Sequence, residues 1–128
     1  MKFLDELAAR RRFGMKPGLD TIRAVCAALG DPQKSFKAIH IAGTNGKGAV
    51  SAMLDVALRR ETVGRYTSPH LVRLNERFFL DGRPIDDATL DAAAERVSQV
   101  VQTPKHPNTQ TPPDLTFFEA LTAVAFLV

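Results

Sequence analysis

The residues with the clearest chemical potential are Gly43, Thr44, Asn45, Gly46, Lys47 and Gly48, where three glycines and a lysine fall within six positions. Glycines at this density let the backbone turn tightly and approach a bulky anion, so that amide hydrogens replace part of its water shell. Lys47 adds a mobile positive charge at the same place. The chemistry this combination supports is the cradling of phosphate, with Thr44 and Asn45 able to donate or orient hydrogen bonds within the turn. Turn formation alone is compatible with the glycines but leaves the lysine without a role. The spacing departs from the standard phosphate loop, which has a further glycine five residues before the Gly-Lys pair and Ser or Thr directly after the lysine. Ile41 or Ala42, and Gly48, stand at those places. A dinucleotide fingerprint fits less well, since G-x-G-x-x-G has no need of the lysine.

Such a loop needs elements that aim it. Lys37-Ala38-Ile39-His40-Ile41-Ala42 reads as a short strand, because branched apolar residues recur before a glycine turn. Residues 50–58 carry apolar side chains at helical spacing, and a helix starting near Lys47 would point its free amides at the same anion. Residues 62–66 read as the next strand. A crossover of this length with no hairpin chemistry predicts a parallel pair between 37–42 and 62–66. His40, inside the first of these strands, reads as structural.

Residues 67–77 follow as an irregular loop dense in polar groups: Ser68, His70, Arg73, Asn75, Glu76 and Arg77. Arg73 and Arg77 could meet a carboxylate or phosphate, or pair with Glu76. Phe78-Phe79-Leu80, an Asp81-Gly82 turn and Pro84-Ile85 predict a short extended excursion, and Asp86-Asp87 can cap a helix whose inward members are Leu90, Ala94, Val97 and Val101. Residues 103–113, with four prolines, read as a loop; His106 there has no visible ligand set. Thr116 and Glu119 have the spacing of a capping box at the start of a last helix. Upstream, residues 2–11 predict a helix with Phe3, Leu4, Leu7 and Ala8 inward. Residues 19–29 predict a second, with Leu19, Ile22, Val25, Cys26 and Leu29 on its stripe and Gly30-Asp31-Pro32 as its stop.

Four ordered blocks resemble the folylpolyglutamate synthase and dihydrofolate synthase family, within the wider Mur ligase group. They are residues 12–19, 39–48, 64–77 and 115–122. The resemblance implies an α/β fold, a partial P-loop-like ATP-binding domain with a mainly parallel sheet flanked by helices. It also implies an ATP-dependent ligase that joins L-glutamate to a folate or dihydropteroate carboxylate through an acyl phosphate. Lys47 and residues 43–48 would hold ATP, Lys47 acting in catalysis; Ser68 and Glu119 would belong to the magnesium environment, and His70 and Arg73 would face the substrate. Oxygen ligands suit that hard ion. The complete enzyme is expected to be a monomer. Ala49 departs from the family pattern, which carries Ser or Thr two positions after the lysine, so a hydroxyl donor is missing. A Mur-type ligase for a cell-wall precursor is the nearest alternative, and a non-enzymatic nucleotide-binding switch is an alternative of another class.

Size and charge bound the rest. At 128 residues the chain can form one compact domain. It is short for the family, and it stops while a helical apolar pattern is under way. The expectation is therefore that residues 1–128 are the amino-terminal portion of the ATP-binding domain, without the glutamate-binding domain, and that the isolated chain lacks ligase turnover. Residues 1–65 carry 12 Lys/Arg and 6 Asp/Glu, and residues 66–128 carry 5 and 8, so the basic half surrounds the anion loop. Arg10-Arg11-Arg12 is too short a run, with no accompanying module, to indicate nucleic acid. Cys26 is the single cysteine, which excludes an internal disulfide and a cysteine metal cluster. Its apolar neighbours favour a buried thiol. Residues 2–6 do not resemble a secretory signal, and the final apolar stretch is shorter than the roughly 20 residues that span a bilayer. Cytoplasm and no membrane partner are expected.

Overall fold

A computed structural model describes residues 2–9, 18–102 and 115–128. The basic run at 10–12, most of the first resembling block, the proline-rich loop and His106 lie outside the described residues. Five α-helices are described: α1 (Lys2–Ala9), α2 (Asp20–Ala28), α3 (Lys47–Ala57), α4 (Asp87–Gln102) and α5 (Phe117–Ala125). Three short strands, β1 (Gly64–Tyr66), β2 (Phe78–Leu80) and β3 (Arg83–Pro84), form one sheet in that order.

The core is built by helices whose apolar residues recur at helical spacing. Leu4 and Leu7 of α1, Val25 and Cys26 of α2, Leu90, Ala93, Ala94 and Val97 of α4, and Ala120, Leu121, Ala123 and Val124 of α5 are all buried. Phe78 and Ile85 join them from the sheet side. Small residues on α4 and α5 let these helices pack closely. α2 ends as its glycine predicts: Gly30 has φ +87, its amide donates to Ala27 O at 3.1 Å, and the Asp31 amide donates to Cys26 O at 2.7 Å. This paired closure satisfies carbonyls that the helix end would otherwise leave open. Burial pushes the Cys26 thiol up, with Asp31 adding to the shift, so the thiol is an inert core group.

The sheet is a hairpin with one added strand. Asp81 and Gly82 both take positive φ, +49 and +79, which gives the tight two-residue turn that matches strand twist. Leu80 pairs with Arg83 and Phe79 with Pro84, while Gly64, Arg65 and Tyr66 pair with Leu80, Phe79 and Phe78. Every pair is antiparallel.

The α/β class therefore holds, but the expected parallel pair does not form. Among the described residues, 37–42 have no ladder partner, Ile39 is 64% exposed, and His40 is exposed rather than structural. α3 does follow the loop from Lys47, yet Val50, Met53 and Val56 remain open to solvent. The physical reason is that parallel strands are stable when neighbours and helices bury both faces. Residues 62–66 instead find their partner in β2, which lies nearby in sequence and closes by a cheap turn.

Candidate active site

The glycine loop stands at the amino end of α3. Gly43 and Gly46 have φ +147 and +80, conformations that side-chain-bearing residues rarely adopt, and Gly46 occupies the N-cap. A Cβ built on Gly43, Gly46 or Gly48 would meet nothing within 4 Å, so the glycines are not there to relieve packing. The Val50 amide closes the first helical turn on Gly46 O at 2.9 Å, and Gly46 offers no side-chain cap to the amides before it. Among the described residues no side chain caps these amides, and together with the helix dipole they favour a nearby anion. Lys47 Nζ donates to Gly43 O and, at 3.4 Å, to Thr44 O, so the ammonium arches over its own loop. Ala49 is exposed beside it.

The second component is the loop of residues 67–77, which is closed on itself. Its ends are tied by Thr67 N to Arg77 O at 2.9 Å. Its interior is filled by the Glu76 carboxylate, which accepts from the amides of Leu71, Val72 and Arg73 at 2.8, 3.1 and 2.9 Å. Amide donation by Arg73 and Leu71, then Val72, holds this carboxyl below the usual range against its desolvation. Arg73 is thus met by Glu76 through its backbone, while its guanidinium grips Asp87 at 2.8 and 3.1 Å. That pair is largely exposed and exchangeable. Asn75, buried, donates to Ile85 O and Asp87, fixing the loop to the start of α4. Arg77 is buried and donates from Nε to His70 Nδ1 at 2.7 Å. Ser68 is exposed and precedes a cis peptide to Pro69.

The third component is the first turn of α5. Thr116 Oγ1 accepts from the Glu119 amide at 3.2 Å, and Glu119 Oε2 accepts from the Thr116 amide and hydroxyl, both at 2.9 Å. The expected capping box is present. It uses one carboxylate oxygen, and among the described residues nothing donates to Oε1.

Tyr66 brings the second and third components together. Its ring stacks on Phe78 at 5.5 Å and meets Phe118, the neighbour of Glu119, at 6.5 Å. Burial pushes its phenol up; Thr122 and Arg77 oppose the shift, though neither reaches the hydroxyl with hydrogen-bond geometry. No hydrogen bond joins Lys47, Ser68 and Glu119 among the described residues. An open depression of about 420 Å³ lies between the 67–77 loop and the start of α4, lined by Arg73, Glu76, Asp86, Asp87 and their neighbours. The Glu76 clamp and the Asn75–Asp87 link escaped sequence reasoning, although Arg73 and Glu76 stand at capping-box spacing.

No protein-family model matches the chain. The chain is 39% identical over 120 residues to a dihydrofolate synthase/folylpolyglutamate synthase of Bacillus subtilis, covering 92% of this chain and 27% of that protein. It is 43% identical over 117 residues to the Mycobacterium tuberculosis protein of the same name, covering 86% and 24%. The fold agrees: a solved M. tuberculosis folylpolyglutamate synthase complexed with ADP superposes with a TM-score of 0.80 at 38% identity, over 98% of this chain and 29% of that one. The chain belongs to the folylpolyglutamate and dihydrofolate synthase family. It spans about a quarter of the length of these synthases. The agreement extends from α1 to α5, so the glycine loop, the 67–77 loop and the α5 capping box all fall within a fold shared with the solved synthase. Among the described residues no helix is long and apolar enough to cross a membrane.

Proposed function

We propose that this chain carries the phosphate cradle and the acceptor loop of an ATP-dependent ligase that joins L-glutamate to a folate or dihydropteroate carboxylate. It serves as the amino-terminal part of a Mur-ligase-type ATP-binding domain, in an enzyme that works as a cytoplasmic monomer. The observation that carries the reading is the open glycine loop, whose positive-φ glycines, amides without a side-chain cap and lysine converge at the start of α3. Kinship with folate synthases supports folate over a cell-wall precursor as the acceptor.

In this reading ATP is a substrate. The acceptor carboxylate attacks the terminal phosphorus, forming an acyl phosphate and releasing ADP; the glutamate amine then attacks the acyl carbon, an amide forms, and phosphate leaves. Lys47 and the amides at the start of α3 neutralise charge on the transferred phosphoryl group, which needs positioning and electrostatics more than covalent help. Arg73 can leave Asp87 for a substrate carboxylate at small cost, and His70 faces the same substrate. A magnesium ion fits the donors available, since Ser68 offers a hydroxyl, Glu119 offers Oε1, and phosphate and water complete such sites. When bound it would lower the charge on the phosphate oxygens. Among the described residues no three His, Cys, Asp or Glu side chains cluster, and in this reading phosphate and water supply the remaining ligands.

Equilibrium binding of ATP–magnesium to the protein, followed by ADP release on adding dihydropteroate or folate, tests the reading. Nucleotide binding that strengthens with magnesium and acceptor-dependent ADP are expected. A folded protein that binds no nucleotide would remove the cradle from the account.

A further inference from the structure

We propose that Arg77 is a positioning residue that holds His70 as a neutral imidazole protonated on Nε2, so that the 67–77 loop presents a hydrogen-bond donor to the acceptor substrate. The geometry begins with Arg77 Nε, which donates to His70 Nδ1 at 2.7 Å. A guanidinium has only donors, so Nδ1 must offer a bare lone pair. The neutral imidazole with a bare Nδ1 carries its hydrogen on Nε2. The selection runs from the buried residue to the more exposed one. Arg77 is 6% exposed, and among the described residues no carboxylate pairs with it, so the imidazole lone pair is a partner that its guanidinium needs. A tautomer with hydrogen on Nδ1 would set two donors against each other and leave a buried N–H unpaired.

The frame around this pair is fixed on both sides. Arg77 O is held by the Thr67 amide, and Thr67 Oγ1 donates to Glu76 O at 3.3 Å. His70 is half-buried, and among the described residues nothing accepts from Nε2. Two residues beyond Ser68, the ring therefore offers an unused N–H. Such a group recognises a carbonyl oxygen, a carboxylate oxygen or an unprotonated ring nitrogen, and it discriminates against a ligand that brings its own donor there. The assignment of that ligand as the folate or dihydropteroate acceptor rests on the proposed function; the tautomer does not.

The test has two arms. In the first, the unmodified protein is labelled with ¹⁵N in His and Arg, His70→Gln identifies the His70 signals, and coupling across the N–H···N bond is measured. Coupling between Arg77 Nε and His70 Nδ1, with the proton on Nε2, is expected; absence of the coupling or a proton on Nδ1 would overturn the proposal. In the second, dihydropteroate affinity is compared for Arg77→Met alone and in a His70→Phe background. If Arg77 acts through His70, its loss weakens binding about tenfold in the native background and has no further effect once His70 is gone. Equal losses in both backgrounds, or no loss in either, would overturn the positioning role. If the unmodified protein binds no dihydropteroate, the acceptor reading fails, and the spectroscopic arm alone decides the tautomer.

Discussion

Arg65 on β1 donates from Nε to Asp55 Oδ2 on α3 at 3.1 Å, and its guanidinium carbon lies 3.9 Å from the centre of the Phe79 ring. Asp55 is 4% exposed and is the one buried residue of α3. The helix that follows the glycine loop is thus tied to the strand that leads to Ser68 by a charge pair, while its apolar residues Val50, Met53 and Val56 stay exposed. Among the described residues Asp55 Oδ1 has no partner, so the carboxylate depends on Arg65 for most of its compensation.

Arg65→Met should therefore destabilise the protein by on the order of 2 kcal/mol, below the range for a fully buried pair because Arg65 keeps some contact with water. Urea unfolding measures this. A loss within experimental error would show that α3 is held by something other than the pair. Asp55→Asn should cost less, since the amide keeps an acceptor for Nε without a buried charge.

Lys47→Ala should weaken ATP–magnesium binding at least tenfold and leave the unfolding midpoint nearly unchanged, because charge-assisted contacts to phosphate are strong while Lys47 touches only its own exposed loop. Calorimetric titration and thermal unfolding on the same preparation separate the two effects. Native affinity in the folded variant would exclude Lys47 from the phosphate site.

Ala49→Ser restores a hydroxyl at an exposed position in the first turn of α3. Nucleotide affinity should hold or rise, by up to about fivefold for one neutral hydrogen bond. A weaker complex would mean that the side chain at this position points away from the phosphates.

Glu119 serves the α5 cap through Oε2, and the proposed magnesium role would draw on the remaining charge. Glu119→Gln keeps an acceptor for the Thr116 amide, so stability should change by only about 0.5 kcal/mol while the magnesium dependence of nucleotide binding falls. Thr116→Ala should do the reverse, costing about 1 kcal/mol of stability with magnesium dependence intact. Parallel behaviour of the two variants would leave Glu119 with a structural role only.

The Glu76 carboxyl has its pKa lowered by the amides of Arg73, Leu71 and Val72. A group depressed in the folded state contributes stability above its unfolded value and loses it as pH falls through the folded value. The loop should therefore hold at neutral pH and loosen below the ordinary glutamate range. The amide signals of Leu71, Val72 and Arg73 should titrate together there, and Glu76→Gln should abolish the transition. Independent titrations would refute the shared clamp.

Local chemistry was readable in the sequence wherever a few neighbouring residues decide the structure. The α3 start at Lys47, the Asp81-Gly82 hairpin and the Thr116–Glu119 box all follow from adjacent side chains and glycine φ preferences. Residues 37–42 failed because their apolar pattern is a preference for being sandwiched, and a strand forms only when partners supply its ladder. Among candidate site residues, the glycine loop could be placed from sequence. The lock between His70 and Arg77 could not, since both are polar loop residues whose pairing depends on Arg77 being buried beneath the turn.

The Glu76 clamp has a consequence for change over generations. It grips the amides of residues 71–73, which every residue except proline provides, and leaves the side chains of Leu71 and Val72 at 92% and 84% exposure. Shape and lettering are thereby uncoupled: the tip can be rewritten while the curve that carries it stays drawn by one carboxylate. A lineage could retune what this loop touches by single substitutions at 71 and 72 without re-solving the fold, and libraries at those two positions offer the same freedom at the bench.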